Sequence, residues 1–203
     1  MAYPSNDQIR DACLRWNREW QAVPIEITYH GVSDWRPLGI WCYYLYLHQN
    51  MFQRAEDFAR FNLPYQTYKF NGKWYRHYPY DEVSDLEWHG GITFGERREG
   101  YDHFTAEPYT IIKLGCDYGH LWDEENGYWQ GLEEVYADAK RSADALVAIA
   151  PMKVRCAYSG RIDMPDRFYT AINGAQVHVD AEIPIGWDNW RPAEPPAPPE
   201  QES

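Results

Sequence analysis

A chain of 203 residues is long enough for one substantial hydrophobic core, and its 10 Trp and 17 Tyr mean that much of the apolar burial comes from rings whose N–H and O–H groups need partners. The formal net charge of −12 argues against sequence-independent nucleic-acid binding, which depends on Lys and Arg neutralising phosphates, and no apolar run reaches the ~20 residues of a membrane span. Four widely spaced cysteines without a C-x-x-C pair, behind a charged N-terminus with no signal-peptide core, predict reduced thiols in a cytoplasm.

Along the chain, Ile9, Ala12, Cys13, Trp16 and Trp20 recur at three- and four-residue steps behind Ser5 and Asn6, which predicts a helix over 6–20 with one face on a sheet. Residues 25–30 and 39–48 read as strands; the second is almost wholly apolar or aromatic and therefore central. Met51, Phe52, Ala55, Phe58 and Ala59 predict a short helix over 51–61, closed by Pro64. Segments 65–70 and 73–78 flank Asn71-Gly72, two turn residues that tolerate positive φ, and so form a hairpin. Residues 86–96 and 109–116 read as further strands joined by a charged loop around Gly100.

Leu132, Val135, Tyr136, Ala139, Ala143, Leu146 and Ile149 make one apolar face of a helix over 131–150, with Glu133 and Glu134 in its first turn and Pro151 as its stop. A strand over 153–159 and a second Asn-Gly hairpin over 168–179, around Asn173-Gly174, follow. The run after 190, rich in Pro and Glu, cannot bury enough surface to offset its ordering entropy. The expected organisation is one α+β domain over 1–190 and a disordered tail over 191–203. Its core is a mainly antiparallel, twisted, aromatic-rich sheet packed by the N-terminal helix and the long helix near 131–150.

The densest polar cluster, Cys116-Asp117-Tyr118-Gly119-His120-Leu121-Trp122-Asp123-Glu124-Glu125, follows a predicted strand. Cys116 and His120 have a spacing compatible with two zinc ligands, and Cys156 and His178 are candidates for two more. Structural zinc sites show two tight pairs, however, and the second pair here is 22 residues apart, so buried cysteines and hydrogen-bonded histidines are the plainer account and no cofactor is called for. A Cys116 nucleophile with His89 or His120 as base is chemically possible, although Asp117 beside it opposes thiolate formation. Asp117, Asp123, Glu124 and Glu125 offer oxygen ligands to Mg²⁺ or Ca²⁺, but Gly127 stands fifth from Asp123, where the calcium loop needs its glycine sixth, and so breaks the calcium-loop order. Lys113 is preceded two residues earlier by Ile111, not by the acid a metal nuclease needs.

Two further stretches attract notice. Gly90-Gly91 after His89 interrupts a strand pattern without phosphate-loop spacing, which predicts a bulge that presents His89. Tyr65, Tyr68, Phe70, Trp74, Tyr75, His77, Tyr78 and Tyr80 interleave with Lys69, Lys73 and Arg76 on the first hairpin. Such a mixture suits base stacking, while a hairpin with one buried face explains the same alternation without a ligand.

Residues 88–94, Trp88-His89-Gly90-Gly91-Ile92-Thr93-Phe94, and residues 114–123 resemble segments of uncharacterised proteins of tailed bacteriophages and prophages. The likeness extends through the helix at 131–150 and Arg155-Cys156-Ala157-Tyr158-Ser159-Gly160, about half the chain. That resemblance implies a virus-encoded accessory protein acting inside a bacterial host, of a kind that binds and blocks host machinery, and it carries no catalytic residues. Residues 81–138 hold 15 acidic and 3 basic side chains, the whole net charge of the chain. The expectation is a non-enzymatic host-protein binder, with no direct contact to nucleic acid or membrane, whose acidic contacts are Asp81, Glu82, Asp85, Glu87, Asp123, Glu124 and Glu125. The alternatives are a metal- or cysteine-dependent enzyme centred on Cys116 and His120, and a phage structural or assembly component.

Overall fold

The nearly unbroken apolar and aromatic run Ile40–His48 becomes the middle strand of a five-stranded antiparallel sheet in a computed structural model of the chain. The structure describes residues 19–30, 40–79, 86–102, 106–119 and 132–192, together with Ser5 and Asp7. They belong to two compact units, Met1–Met152 and Lys153–Ser203.

In the first unit the strands are β1 (Glu19–Trp20), β2 (Val23–His30), β3 (Ile40–His48), β4 (Gln66–Phe70), β5 (Lys73–His77), β6 (Phe94–Tyr101) and β7 (Pro108–Asp117). The large sheet has the order β1-β2-β3-β7-β6, and among the described residues β4 pairs only with β5. Register puts Ile25 opposite Leu45, Ile27 opposite Tyr43, Leu45 opposite Leu114 and Tyr43 opposite Cys116, so these side chains share one face. That face is buried throughout, and the 18-residue helix Leu132–Ile149 lies against β2 and β3. Val135, Ala139, Ala143 and Leu146 are its fully buried stripe, and each large apolar side chain so buried contributes about 1.5–3 kcal/mol relative to exposure. A shorter helix, Ala55–Ala59, precedes it in the chain; the two are α1 (Ala55–Ala59) and α2 (Leu132–Ile149).

Several sequence expectations are corrected in detail. Glu19 and Trp20 are not the end of a helix but a short strand, because Gln21 and Ala22, at φ 46° and 66°, fold the chain back so that Trp20 pairs with Val23. The remainder of the helix expected over 6–20, and the connection at 31–38, lie outside the described residues. The helix expected over 51–61 shrinks to a 3-10 turn at Gln49–Met51 and α1; here Phe52 packs edge-on to Phe58 at 5.2 Å, and Arg54 chelates Asp57 at 2.6 and 2.8 Å. The strand expected from 86 begins only at Phe94, since Gly90 and Gly91 take φ 63° and 101°. Gly100 lies within β6, opposite Tyr109, and the chain reverses after it, between Asp102 and Ala106.

The second unit pairs β8 (Val154–Arg155) with β9 (Ile162–Asp163) and β10 (Phe168–Thr170) with β11 (Gln176–His178). The strand expected over 153–159 is cut to two residues because Gly160 N–H turns back to Cys156 O at 2.7 Å. Cys156, Ala171 and Val177 form its core, surrounded by Phe168, Tyr169, Ala181, Ile183 and Trp190. Arg191 still engages the hairpin, accepting the Ile172 N–H at 3.0 Å; the tail from 193 lies outside the described residues. All described strand pairs are antiparallel, which places the chain in the mixed helix-and-sheet class. No helix among the described residues is long and apolar enough to cross a membrane.

Candidate functional site

The paired glycines after His89 end the strand pattern and turn the 87–91 segment toward α2. Trp88 stacks on Tyr43 at 5.7 Å and 10°, and the His89 ring stacks on Tyr118 at 4.1 Å and 12°. From the helix side, Asp138 receives the Tyr118 hydroxyl and the Arg141 guanidinium, with His89 Nδ1 at 3.7 Å from its Oδ2. Ser142, one turn further on, shares a 2.8 Å hydrogen bond with the Tyr43 hydroxyl and donates to the Glu87 carbonyl. Glu87, Trp88, His89, Gly90, Asp138 and Arg141 together line a cleft of about 270 Å³. An imidazole beside a largely buried carboxylate is an arrangement able to accept and return a proton.

Cys116 lies behind this cleft and is 1 % exposed. Burial pushes its thiol up to about 12, against the weaker opposing pull of the Tyr43 hydroxyl and the His89 backbone N–H. His89 therefore reaches Cys116 through its main chain, and the thiol remains protonated at neutral pH. Asp117 accepts the Gly119 N–H at 2.9 Å. His120 lies outside the described residues.

Of the carboxylates proposed as partner contacts, Glu87 is exposed at the cleft edge, whereas Asp81, Glu82, Asp85, Asp123, Glu124 and Glu125 lie outside the described residues. Glu96, Glu99, Glu107, Glu133 and Glu134, from the same acidic segment, are exposed. Sequence reasoning missed Asp138, Arg141 and Ser142, and quoted Tyr118 in the polar cluster without giving it a role. A signal was present: Asp138 and Ser142 fall between Val135, Ala139, Ala143 and Leu146 at inward-facing helical spacing, where a polar side chain needs a partner.

Cys156 and His178, the second pair weighed for zinc, do meet in the second unit. The Cys156 sulfur accepts the N–H groups of Ser159 and His178, each at 3.3 Å. Burial works against a thiolate there, but the backbone N–H groups of His178, Ser159 and Tyr158 outweigh it and hold the thiol below its ordinary value. Both imidazole nitrogens of His178 are engaged: Nε2 faces Asp163 Oδ2 at 3.1 Å and Nδ1 accepts the Asp180 N–H at 3.1 Å. Among the described residues no group of three His, Cys, Asp or Glu side chains is placed to hold a metal ion.

The opposite face of the large sheet carries a charged and aromatic network. Lys113 Nζ lies 2.7 Å from Glu26 Oε2 and 3.9 Å above the Tyr44 ring, and the Tyr46 hydroxyl donates to the same carboxylate. Burial acts against both charges, yet their mutual hydrogen bond, with help from Tyr46, leaves Glu26 below and Lys113 above their ordinary values. Lys113 thus has an acid beside it, supplied by β2 two strands away and not by its own strand.

Asn71 and Gly72 take φ 48° and 78° as the turn requires, and every residue of β4 and β5 except His77 is exposed. Searched against protein-family models, curated proteins and solved structures, the chain has no significant match.

Proposed function

We propose that the chain is a non-enzymatic interaction protein, of the phage accessory kind that its sequence resembles, which docks on a basic surface of a host protein and inhibits or modulates it. The observation that carries this reading is the segregation of charge: residues 81–138 hold the entire −12, and Glu87, Glu96, Glu99, Glu107, Glu133 and Glu134 from that segment point to solvent. Such a field raises the on-rate for a basic partner and selects against acidic ones. An exposed ring in the same unit, Tyr101 at 65 %, is of a residue type that serves as an anchor in interfaces.

Affinity capture from a bacterial lysate tests the proposal when wild type is compared with a variant carrying Asp123→Lys, Glu124→Lys and Glu125→Lys. A near-stoichiometric partner that is released by salt and lost in the variant is expected. Capture that ignores both salt and charge reversal would overturn it. A second reading, an enzyme in the Cys116 region, is favoured by the His89–Asp138 pair, with proton transfer by the imidazole. It predicts turnover that disappears in His89→Gln, and stoichiometric zinc or one fast-reacting thiol if the metal or cysteine version holds.

A further inference from the structure

We propose that the β4–β5 hairpin is a binding element for single-stranded nucleic acid. The inference stands apart from the acidic-surface reading and rests on the two faces of the ribbon. Directly paired residues share a face, so Tyr68, Tyr75, Phe70 and His77 lie on one side and Trp74, Lys69, Thr67 and Arg76 on the other. On the first side Tyr68 and Tyr75 stack at 5.6 Å and 22°, His77 meets Tyr68 edge-on at 5.4 Å, and Phe70 meets Tyr75 at 6.5 Å. These rings form one continuous patch. On the second side Trp74 is the most exposed tryptophan among the described residues, with Lys69 Nζ 5.9 Å from its ring centre.

A hairpin with one buried face would account for this alternation of rings and charges, but neither face is buried. Phe70 is 59 % exposed, Tyr68 47 % and Tyr75 40 %. A two-stranded ribbon is marginal by itself in water, so exposed rings on both of its faces, a patch on one and Trp74 on the other, are not explained by packing. Charge narrows the ligand. From Phe58 to Tyr80 the sequence contains no Asp or Glu but has Arg60, Lys69, Lys73 and Arg76. Lys69, Lys73 and Arg76 form no ion pair with any described residue.

A single nucleic-acid strand supplies flat π faces and one negative charge per nucleotide, the complement of rings bracketed by cations that no described residue neutralises. An acidic peptide would pair the cations and leave the ring faces unused; a duplex keeps its base faces inside the stack. The −12 of the whole chain opposes nucleic acid at long range, but at physiological ionic strength exposed charges beyond about 8 Å are largely screened. Binding is therefore local and steeply salt-dependent, with log K falling by about 2 per decade of salt for three cations on a single strand.

Fluorescence anisotropy of the full chain with dye-labelled oligothymidylate and oligouridylate tests this between about 50 and 200 mM salt. Both strands are expected to bind, a duplex much less, with Trp74→Ala weakening binding roughly tenfold and Lys69→Ala/Lys73→Ala/Arg76→Ala flattening the salt dependence. Equal affinity for the two strands means that the shared chemistry is read; preference for one identifies DNA or RNA as the source. Circular dichroism of each variant establishes that it is folded. Absence of binding to either strand at low salt, or binding indifferent to Trp74→Ala, overturns the proposal. Displacement by polyglutamate together with insensitivity to Trp74→Ala would assign the hairpin to an acidic protein instead.

Discussion

Replacing Gly115 with alanine probes the packing between the central strands that supports both faces of the sheet. A Cβ at this position would collide with Cδ1 of Tyr44 and stand 2.5 Å from the Tyr43 carbonyl oxygen. Gly115 is flanked by Tyr44 on β3 and Phe94 on β6, so its missing side chain is what lets the Tyr44 ring lie across the row and meet Phe94 edge-on at 5.3 Å. The Tyr44 ring can swing aside, but that forfeits the aromatic pair and the Lys113 contact. The carbonyl belongs to the neighbouring backbone and can yield only if the strands part. Overpacking of a core costs about 1–3 kcal/mol and an aromatic pair about 0.5–1.5 kcal/mol, so a loss of roughly 3 kcal/mol is expected. For a chain of this length that corresponds to a Tm lower by about 6–12 °C. Urea unfolding followed by tryptophan emission measures it, and Tyr44→Ala in the same chain should recover part of the loss, a coupling of about 1 kcal/mol or more. A loss below about 1 kcal/mol for Gly115→Ala, or strictly additive effects, would refute the packing argument.

Three other outcomes follow from the same geometry. Because the folded-state value of Glu26 is depressed below its ordinary 4.5, its contribution to stability is present above that pH and is lost as pH falls through the folded value; Glu26→Gln should therefore lose less stability than wild type between neutral pH and pH below 4.5, and equal acid sensitivity in urea titrations would contradict the pairing with Lys113. Cys116, buried and pushed up to about 12, should resist iodoacetamide at pH 8 in the folded chain and react only on unfolding, as read by mass spectrometry of its peptide; rapid labelling of native protein would show that the thiol is accessible after all. Asp138→Ala removes the charged acceptor of the buried Tyr118 hydroxyl and should cost about 1.5–3 kcal/mol, with Asp138→Asn milder; a neutral Asp138→Ala would mean that the carboxylate does not organise the cleft.

Much of the local structure was legible because it is written in neighbours. Asn71-Gly72 specified its own turn, the run at 40–48 announced a strand buried on both faces, and the three- and four-residue steps from Val135 to Leu146 described a helix with one apolar side. Where local signals competed, the tertiary structure chose. Trp20 fits a helical stripe as well as a strand, and pairing with Val23 decided for the strand. Residues 86–93 alternate like a strand, yet the left-handed backbone at Gly90 and Gly91 removes them from the ladder.

The candidate site lies further from what a sequence can state. Glu26 meets Lys113 only because β2 and β7 flank β3 in one register, and His89 meets Asp138 only because α2 packs over that sheet. Asp138 carried a local hint, a polar side chain at inward-facing spacing, but its partners could not be inferred from it. The hairpin shows the division most plainly. Composition and turn chemistry determined that a ribbon of rings and cations would form at 66–77, since those depend on residues one or two positions apart. Whether either face would be covered depended on what the rest of the chain placed against it, and burial is a property of the packed whole, which no periodicity in twelve residues encodes.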